Sequence, residues 1–184
     1  MANYRVAKRY AKAFMEVLPA ERQEVVIGEM RDIIKSLKAN KNLRAFLGSP
    51  IISEEKKLSI SKDIFKAFSN ETQNLIMLLI KNGRSENLKE VANSVIEQYR
   101  TLNGIKKAII TSATPLTEEQ LNDIVQEVTR NLAIESKKIE VEQKIDESLI
   151  GGFILRVDDK QFDTSIKTRL NKIKQEFDTK QIIS

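Results

Sequence analysis

Residues 139–169 read IEVEQKIDESLIGGFILRVDDKQFDTSIKTR, and the order of residue types along them decides the fold class. Ile139 and Val141 alternate with Glu140 and Glu142, the period of a strand with one face buried. After a polar break, an apolar run from Leu149 to Val157 is entered through Gly151 and Gly152. Asp158-Asp159-Lys160 predicts a tight turn. Thr164 to Phe177 predicts an amphipathic helix with Ile166, Leu170, Ile173 and Phe177 on one face. Adjacent glycines beside a strand sacrifice packing and chain entropy, so they need a backbone reason. Two are open: a positive φ at one glycine, or a neighbouring backbone so close that no Cβ fits.

Upstream, Ile105 to Ala113 is rich in β-forming residues, and Thr114-Pro115-Leu116 leads into Thr117-Glu118-Glu119-Gln120. That tetrad is a capping box, in which threonine and glutamine satisfy each other's helix-start donors. The helix it opens presents Leu121, Ile124, Val125, Val128 and Leu132 to a core. Strand, helix, strand, strand, helix describes a small α/β unit over residues 105–184.

Residues 1–104 have a different texture, that of consecutive helices. The first, Asn3 to Leu18, carries Val6, Tyr10, Ala13, Phe14 and Val17 at helical spacing, with Ala7, Ala11 and Leu18 widening the arc. The second, Ala20 to Ala39, follows Pro19 and aligns Val26, Met30, Ile33 and Leu37. A short third, Asn42 to Leu47, stops at Gly48-Ser49-Pro50, since proline disfavours the helical state just before it. Ser53 caps a fourth, with Glu54 and Glu55 in its first turn and Ile60, Ile64, Phe65 and Phe68 as its apolar face. A fifth starts at an Asn70/Gln73 cap and ends at Gly83. The sixth, Glu86 to Leu102, aligns Leu88, Val91, Ala92, Val95, Ile96, Tyr99 and Leu102. Short links between them imply antiparallel neighbours. The predicted fold is therefore α+β, mainly α: an N-terminal six-helix bundle, then a small α/β domain, joined at Asn103-Gly104.

Composition narrows the chemistry. The chain contains no cysteine, histidine or tryptophan. Disulfides and thiolate metal sites are thereby excluded, and the usual proton shuttle and commonest metal ligand are missing. No G-x-x-x-x-G-K-[ST] loop occurs, and Gly151-Gly152 lacks the third glycine and the following helix of a dinucleotide fingerprint. Asp158, Asp159 and Asp163 do not have calcium-loop spacing and read as a solvated turn. The expectation is a protein without catalytic residues, cofactor or metal. No apolar run is long enough to span a bilayer. Arg5, Lys8, Arg9 and Lys12 precede the first acid, Glu16; lacking serine and a cleavage site, this stretch reads as a first helix rather than a transit segment.

Charge is uneven. Residues 1–102 hold 18 Lys/Arg against 12 Asp/Glu, a balance of +6, whereas residues 103–184 hold 13 against 14, a balance of −1. The basic half supports one alternative function, a nucleic-acid-associated helical protein. Against it, only ten aromatics occur (three Tyr, seven Phe), those at helical spacing read as core, and no known nucleic-acid motif is visible. The other informative stretch is Leu75 to Ile80, apolar at six successive positions and so apolar all round its axis. Either its own bundle wraps it completely, or one strip stays open as a groove for a partner helix.

Several of these segments together resemble the delta subunit of F-type ATP synthases, the oligomycin-sensitivity-conferring protein of mitochondria. The resemblance rests on Ile139, Val141, Ile145-Asp146, Leu149, Gly151-Gly152-Phe153, Leu155-Arg156, Asp163, Ser165, Arg169 and Leu170. It extends to Arg9-Tyr10-Ala11-Lys12-Ala13-Phe14, to Phe46 through Ser53, and to Asn74 through Leu79 with Asn82-Gly83-Arg84. Asp158 and Thr164 depart from the small residue or glycine usual in the family.

The resemblance implies a non-catalytic stator subunit, one copy per complex and monomeric in isolation, peripheral at the cytoplasmic face of a bacterial membrane. It implies that the N-terminal helix of the alpha subunit packs on the first and fifth helices, at Val6, Tyr10, Ala11, Ala13, Phe14, Val17, Leu75, Met77, Leu78 and Leu79. Whether the open edge of the first helix is Val6/Ala13/Val17 or Tyr4/Ala11/Leu18 is left undecided. It further implies that residues 105–184 bind the C-terminal region of subunit b. Gly151, Gly152, Phe153, Arg156, Asp163 and Arg169 then form a structural signature rather than a ligand site.

Overall fold

The computed structural model describes residues 2–131, 138–157 and 160–171. The chain divides into two compact units, Met1–Leu102 and Asn103–Ser184. It is mainly α-helical, with a small α/β part.

The first unit contains α1 (Ala2–Val17), α2 (Gln23–Ala39), α3 (Lys41–Gly48), α4 (Glu54–Ile64), α5 (Asn70–Lys81) and α6 (Leu88–Asn103). Short 3-10 turns at Ala20–Arg22 and Ser85–Asn87 lead into α2 and α6. One core joins them, with Met30, Ile33, Ile76, Leu79, Leu88, Val91 and Val95 fully enclosed. On α1 the buried residues are Ala7, Ala11 and Met15, followed by Leu18 just past its end. Ala13 and Val17 are exposed instead, and Met15 was not foreseen as core. Two alanines on the inner face let the α1 backbone approach its neighbours closely, which turns the larger Tyr10 and Phe14 to the flank.

Three expectations about this unit need correction. On α4, Ile60 and Ile64 are exposed, while Ser61 and Phe65 are buried and Leu58 packs beside them. At about 100° per residue, positions 58, 61 and 65 share one arc, whereas Ile64 falls on its flank and Ile60 nearly opposite it; Phe68 lies beyond the helix. Leu102, at the last turn of α6, is exposed. The cap of α5 is Ser69, whose hydroxyl accepts from Thr72 N, not Asn70. Glu29 of α2 reinforces it: its carboxylate accepts from Ser69 N and Ser69 Oγ, each at 2.6 Å, and from the Thr72 hydroxyl. An anion is thus held where α5 exposes free N–H groups.

Ser69→Ala is expected to cost about 1–2 kcal/mol, the usual loss for an N-cap, read as a lower urea midpoint of the full chain. A midpoint unchanged within error would remove this cap from the account of α5. Gly83 closes the other end, with φ +63 and the Arg84 N–H donating back to Leu79 O at 2.7 Å.

The second unit is a four-stranded sheet of order β2-β1-β3-β4, formed by β1 (Ile105–Ser112), β2 (Lys138–Ile145), β3 (Phe153–Val157) and β4 (Lys160–Asp163). β1 and β2 are parallel, so the chain must cross over between them, and α7 (Glu118–Asn131) lies in that crossover. β3 pairs antiparallel with β1 and with β4. Ala108, Ile110, Leu155 and Val157 meet Val125 and Val128 of α7 in the core. The capping box is formed: Thr117 N donates to Gln120 Oε1 at 2.9 Å, and Gln120 N to Thr117 Oγ1 at 3.3 Å.

Two corrections apply here. β4 is a strand that the sequence reading left unassigned. β2 is at the edge of the described sheet and lacks clean alternation: Ile139 packs on the core, but Val141 and Ile145 are exposed. Residues 166–171 are helical as predicted. Leu132, Asp158, Asp159, Ile173 and Phe177 lie outside the described residues.

Candidate functional site: a groove between two helices

α1 and α5 together line an open groove of about 400 Å³. Its lining is Tyr10, Ala13, Phe14, Val17 and Leu18 from α1 and its end, with Glu71, Asn74, Leu75 and Leu78 from α5. Both sets are written in helical spacing. Positions 10, 13, 14 and 17 are i, i+3, i+4 and i+7 of one face, and so are 71, 74, 75 and 78. Apart from Glu71 and Asn74 the lining is apolar or aromatic. Val17 is 77% exposed and Leu78 48% exposed, so apolar surface that burial would stabilise is left in water.

At one end of the groove, Arg22 grips Glu71 through two parallel contacts, Nε to Oε1 at 3.2 Å and a terminal guanidinium nitrogen to Oε2 at 3.3 Å. This hydrogen bonding to Arg22 holds the Glu71 carboxyl below its ordinary value, and the same bond raises Arg22. Glu71 stays ionised through neutral pH. The folded-state stabilisation it adds is present above the ordinary carboxylate value and lost as pH falls through the lowered one. The groove therefore presents no unpaired acid from α5, and the clamp ties the start of α5 to the turn before α2.

The expected partner-contact residues separate into two groups. Tyr10, Ala13, Phe14, Val17, Leu75 and Leu78 come together in the groove, and Val6 is half-buried one turn before Tyr10. Ala11 and Leu79 are enclosed in the core and do not reach it, and Met77 is half-buried outside the lining. The open edge of α1 is therefore the one bearing Ala13 and Val17. Leu18, expected on the alternative edge, also lines the groove, and Glu71 and Asn74 were not foreseen in its lining. The polar pair was legible as the remainder of the i, i+3, i+4, i+7 face that contains Leu75 and Leu78.

Of the signature residues of the second unit, Gly152, Asp163 and Phe153 make defined structural contacts. Gly152 has φ +75, and a Cβ there would meet Thr164 O at 2.5 Å. The Asp163 carboxylate accepts from Ser165 N at 2.8 Å and from the Thr168 hydroxyl at 2.9 Å, capping the following helix with Ser165. Phe153 lies against Phe162, ring centroids 6.3 Å apart. Arg156 and Arg169 are exposed.

Among the described residues no group of three or more acidic, histidine or cysteine side chains is placed to hold a metal ion, and no helix is long and apolar enough to cross a membrane. The described residues offer an open, largely apolar groove shaped by two helices. The family described as "ATP synthase delta (OSCP) subunit" matches residues 6–177. The chain is 36% identical to ATP synthase subunit delta of Cytophaga hutchinsonii over 187 aligned positions, covering all of both chains. It is 33% identical to that of Christiangramia forsetii, covering 100% of this chain and 99% of the relative, and 30% identical to that of Brevibacillus brevis, covering 92% and 97%. A chain of the Toxoplasma gondii mitochondrial ATP synthase hexamer shares the fold, with TM-score 0.69 and 23% identity over 93% of this chain and 96% of that one. The chain belongs to the ATP synthase delta (OSCP) family, and it is a non-catalytic subunit. That membership does not favour the nucleic-acid alternative.

Proposed function

We propose that this subunit ties the catalytic head of an F-type ATP synthase to its peripheral stalk, through one attachment in each unit. Residues 1–104 act as a six-helix bundle whose α1/α5 groove seats the N-terminal helix of the alpha subunit, and residues 105–184 hold the C-terminal region of subunit b. One copy serves each complex, peripheral at the cytoplasmic face of a bacterial membrane, in keeping with the bacterial origin of the three sequence relatives above. The observation that carries the reading is the groove: two complementary i, i+3, i+4, i+7 faces, largely apolar and left open.

Such a part performs no bond chemistry. It must resist torque, which calls for slow dissociation. Buried apolar helix contacts supply that better than exposed ion pairs, which are weak and screened by salt. Two attachments in one chain also raise the effective concentration of each site once the other is filled.

Calorimetric titration of a synthetic alpha N-terminal peptide into the full chain, and into residues 1–104, tests the first attachment. Binding to both is expected, with a negative heat-capacity change and little dependence on salt. Affinity that collapses as salt rises would replace the apolar groove with an electrostatic contact.

A further inference from the structure

Asn74 brings the one carboxamide into the lining of the α1/α5 groove, and nothing in the fold uses it. The two linings match position for position. Tyr10, Ala13, Phe14 and Val17 on α1 have the same spacing as Glu71, Asn74, Leu75 and Leu78 on α5. Asn74 therefore stands on its helix where α1 places Ala13. It is exposed, and its side-chain amide makes no hydrogen bond to any described residue. Its neighbours are engaged. Gln73 Nε2 donates to Phe68 O at 2.7 Å, Asn82 Nδ2 donates to Leu78 O at 3.0 Å, and Glu71 is held by Arg22. Asn74 neither caps α5 nor bonds back along it, and asparagine is among the weaker helix formers. Leucine would suit both the helix and an apolar groove better.

Water satisfies this amide while the groove is open. A helix seated in the groove removes that water, because Asn74 shares an arc with Leu78 and faces the occupant as Ala13 does. Pressed against an apolar side chain, the amide would keep two donors and an acceptor unmet, and the complex would be weakened. Met by a second amide or a hydroxyl, it is satisfied in one register only. A shift by a turn would put apolar surface on it again, as with a single buried asparagine in a coiled coil.

We infer that Asn74 sets the register of the helix held in the groove. The occupant carries one amide or hydroxyl side chain within its apolar stripe, placed to exchange hydrogen bonds with Asn74. This rests on the reading that the groove seats the alpha N-terminal helix. It adds the chemistry which that helix must present and the residue that selects for it. The sign of one substitution separates the two ideas. A seat that is apolar throughout would bind more tightly after Asn74→Leu, whereas a matched amide makes the same change weaken binding.

The test is calorimetric titration of the full chain with the alpha N-terminal peptide of the same complex. A set of peptide variants, each with one Asn, Gln, Ser or Thr replaced by Leu, is titrated in parallel. Asn74→Leu is expected to lower affinity for the natural peptide about tenfold. Asn74→Ala, which adds no apolar bulk, should change it in the same direction. One peptide variant should bind the wild-type chain about tenfold more weakly, yet bind Asn74→Leu about as well as the natural pair, because the two losses are one interaction. Melting temperatures should hold, since the amide is exposed and unpaired in the free protein. Binding of the natural peptide to Asn74→Leu as tightly as to the wild type, or more tightly, overturns the inference and leaves the groove reading intact. So does a loss that couples to no peptide substitution, or one that only follows the unfolded fraction. If the wild-type chain binds no alpha peptide, the groove reading fails and the role of Asn74 falls with it.

Discussion

Gly152→Val should lower the melting temperature of the second unit by on the order of 10–30 °C while leaving the alpha peptide bound. Two costs fall on the same atom. The backbone at Gly152 has φ +75, a region that a β-branched residue enters only at about 1–3 kcal/mol. The added Cβ would also stand 2.5 Å from Thr164 O and 3.1 Å from Ser165 Cα, both backbone atoms. Displacing packed structure costs roughly another 1–3 kcal/mol. The backbone there is not free to retreat. Thr164 N donates to Phe153 O at 3.0 Å, Ile166 N donates to Gly151 O at 3.1 Å, and Ser165 is buried where it caps the next helix. A unit of this size has roughly 4–12 kcal/mol in total, so the change removes a large share of it.

Gly151→Ala is the internal comparison. Its new Cβ meets only the tip of the Ile166 side chain, which can rotate away. Thermal unfolding of the full chain, followed by circular dichroism, checks both. Equal damage at the two glycines would defeat the explanation from backbone approach. A normal melting temperature in Gly152→Val with subunit b binding lost would make the glycine pair a contact surface instead.

Leu78→Asp and Ala13→Asp should each weaken alpha-peptide binding by about 2–5 kcal/mol, or roughly 30- to several-thousand-fold. Both positions are exposed in the free protein, so the fold tolerates a carboxylate there. In the complex the carboxylate would be stripped of water against an apolar helix face. Arg22, at the Glu71 end of the groove, already grips Glu71. Met77→Asp serves as the comparison, because Met77 lies outside the lining and should matter less. Calorimetry on variants shown to be folded decides the matter. Unchanged affinity in folded Leu78→Asp would put the partner somewhere other than this groove.

The glycine pair shows how far local reading reaches. From sequence, positive φ and close backbone approach were separate explanations. In the structure both hold at Gly152, because the strand start that needs the left-handed turn also passes beneath the 163–166 link. Ser69 shows a miss of another kind. Asn70 was the plausible cap by composition, but the cap depends on where the chain bends, and Glu29 of α2 helps to hold that bend. An interaction across 40 residues leaves no local pattern. β4 was missed because four residues are too few for a period to declare itself.

What the sequence determined by itself is what periodicity and local chemistry encode. The helices of the first unit, the change to mixed α/β character near Asn103, the Ser53 and Thr117 caps and the need for a special backbone at Gly151-Gly152 all follow from spacing and side-chain type. So does the absence of cysteine and histidine chemistry. Which face of each helix turns inward was decided only by the tertiary structure. The apolar arc of α1 covers nearly half its circumference and that of α5 all of it, so each could be rotated without breaking its own pattern. Packing chose among those rotations: Ala7 and Ala11 allow close approach and face the core. That choice leaves Ala13 and Val17 opposite Leu75 and Leu78, and the groove exists because two helices resolved the same ambiguity toward each other.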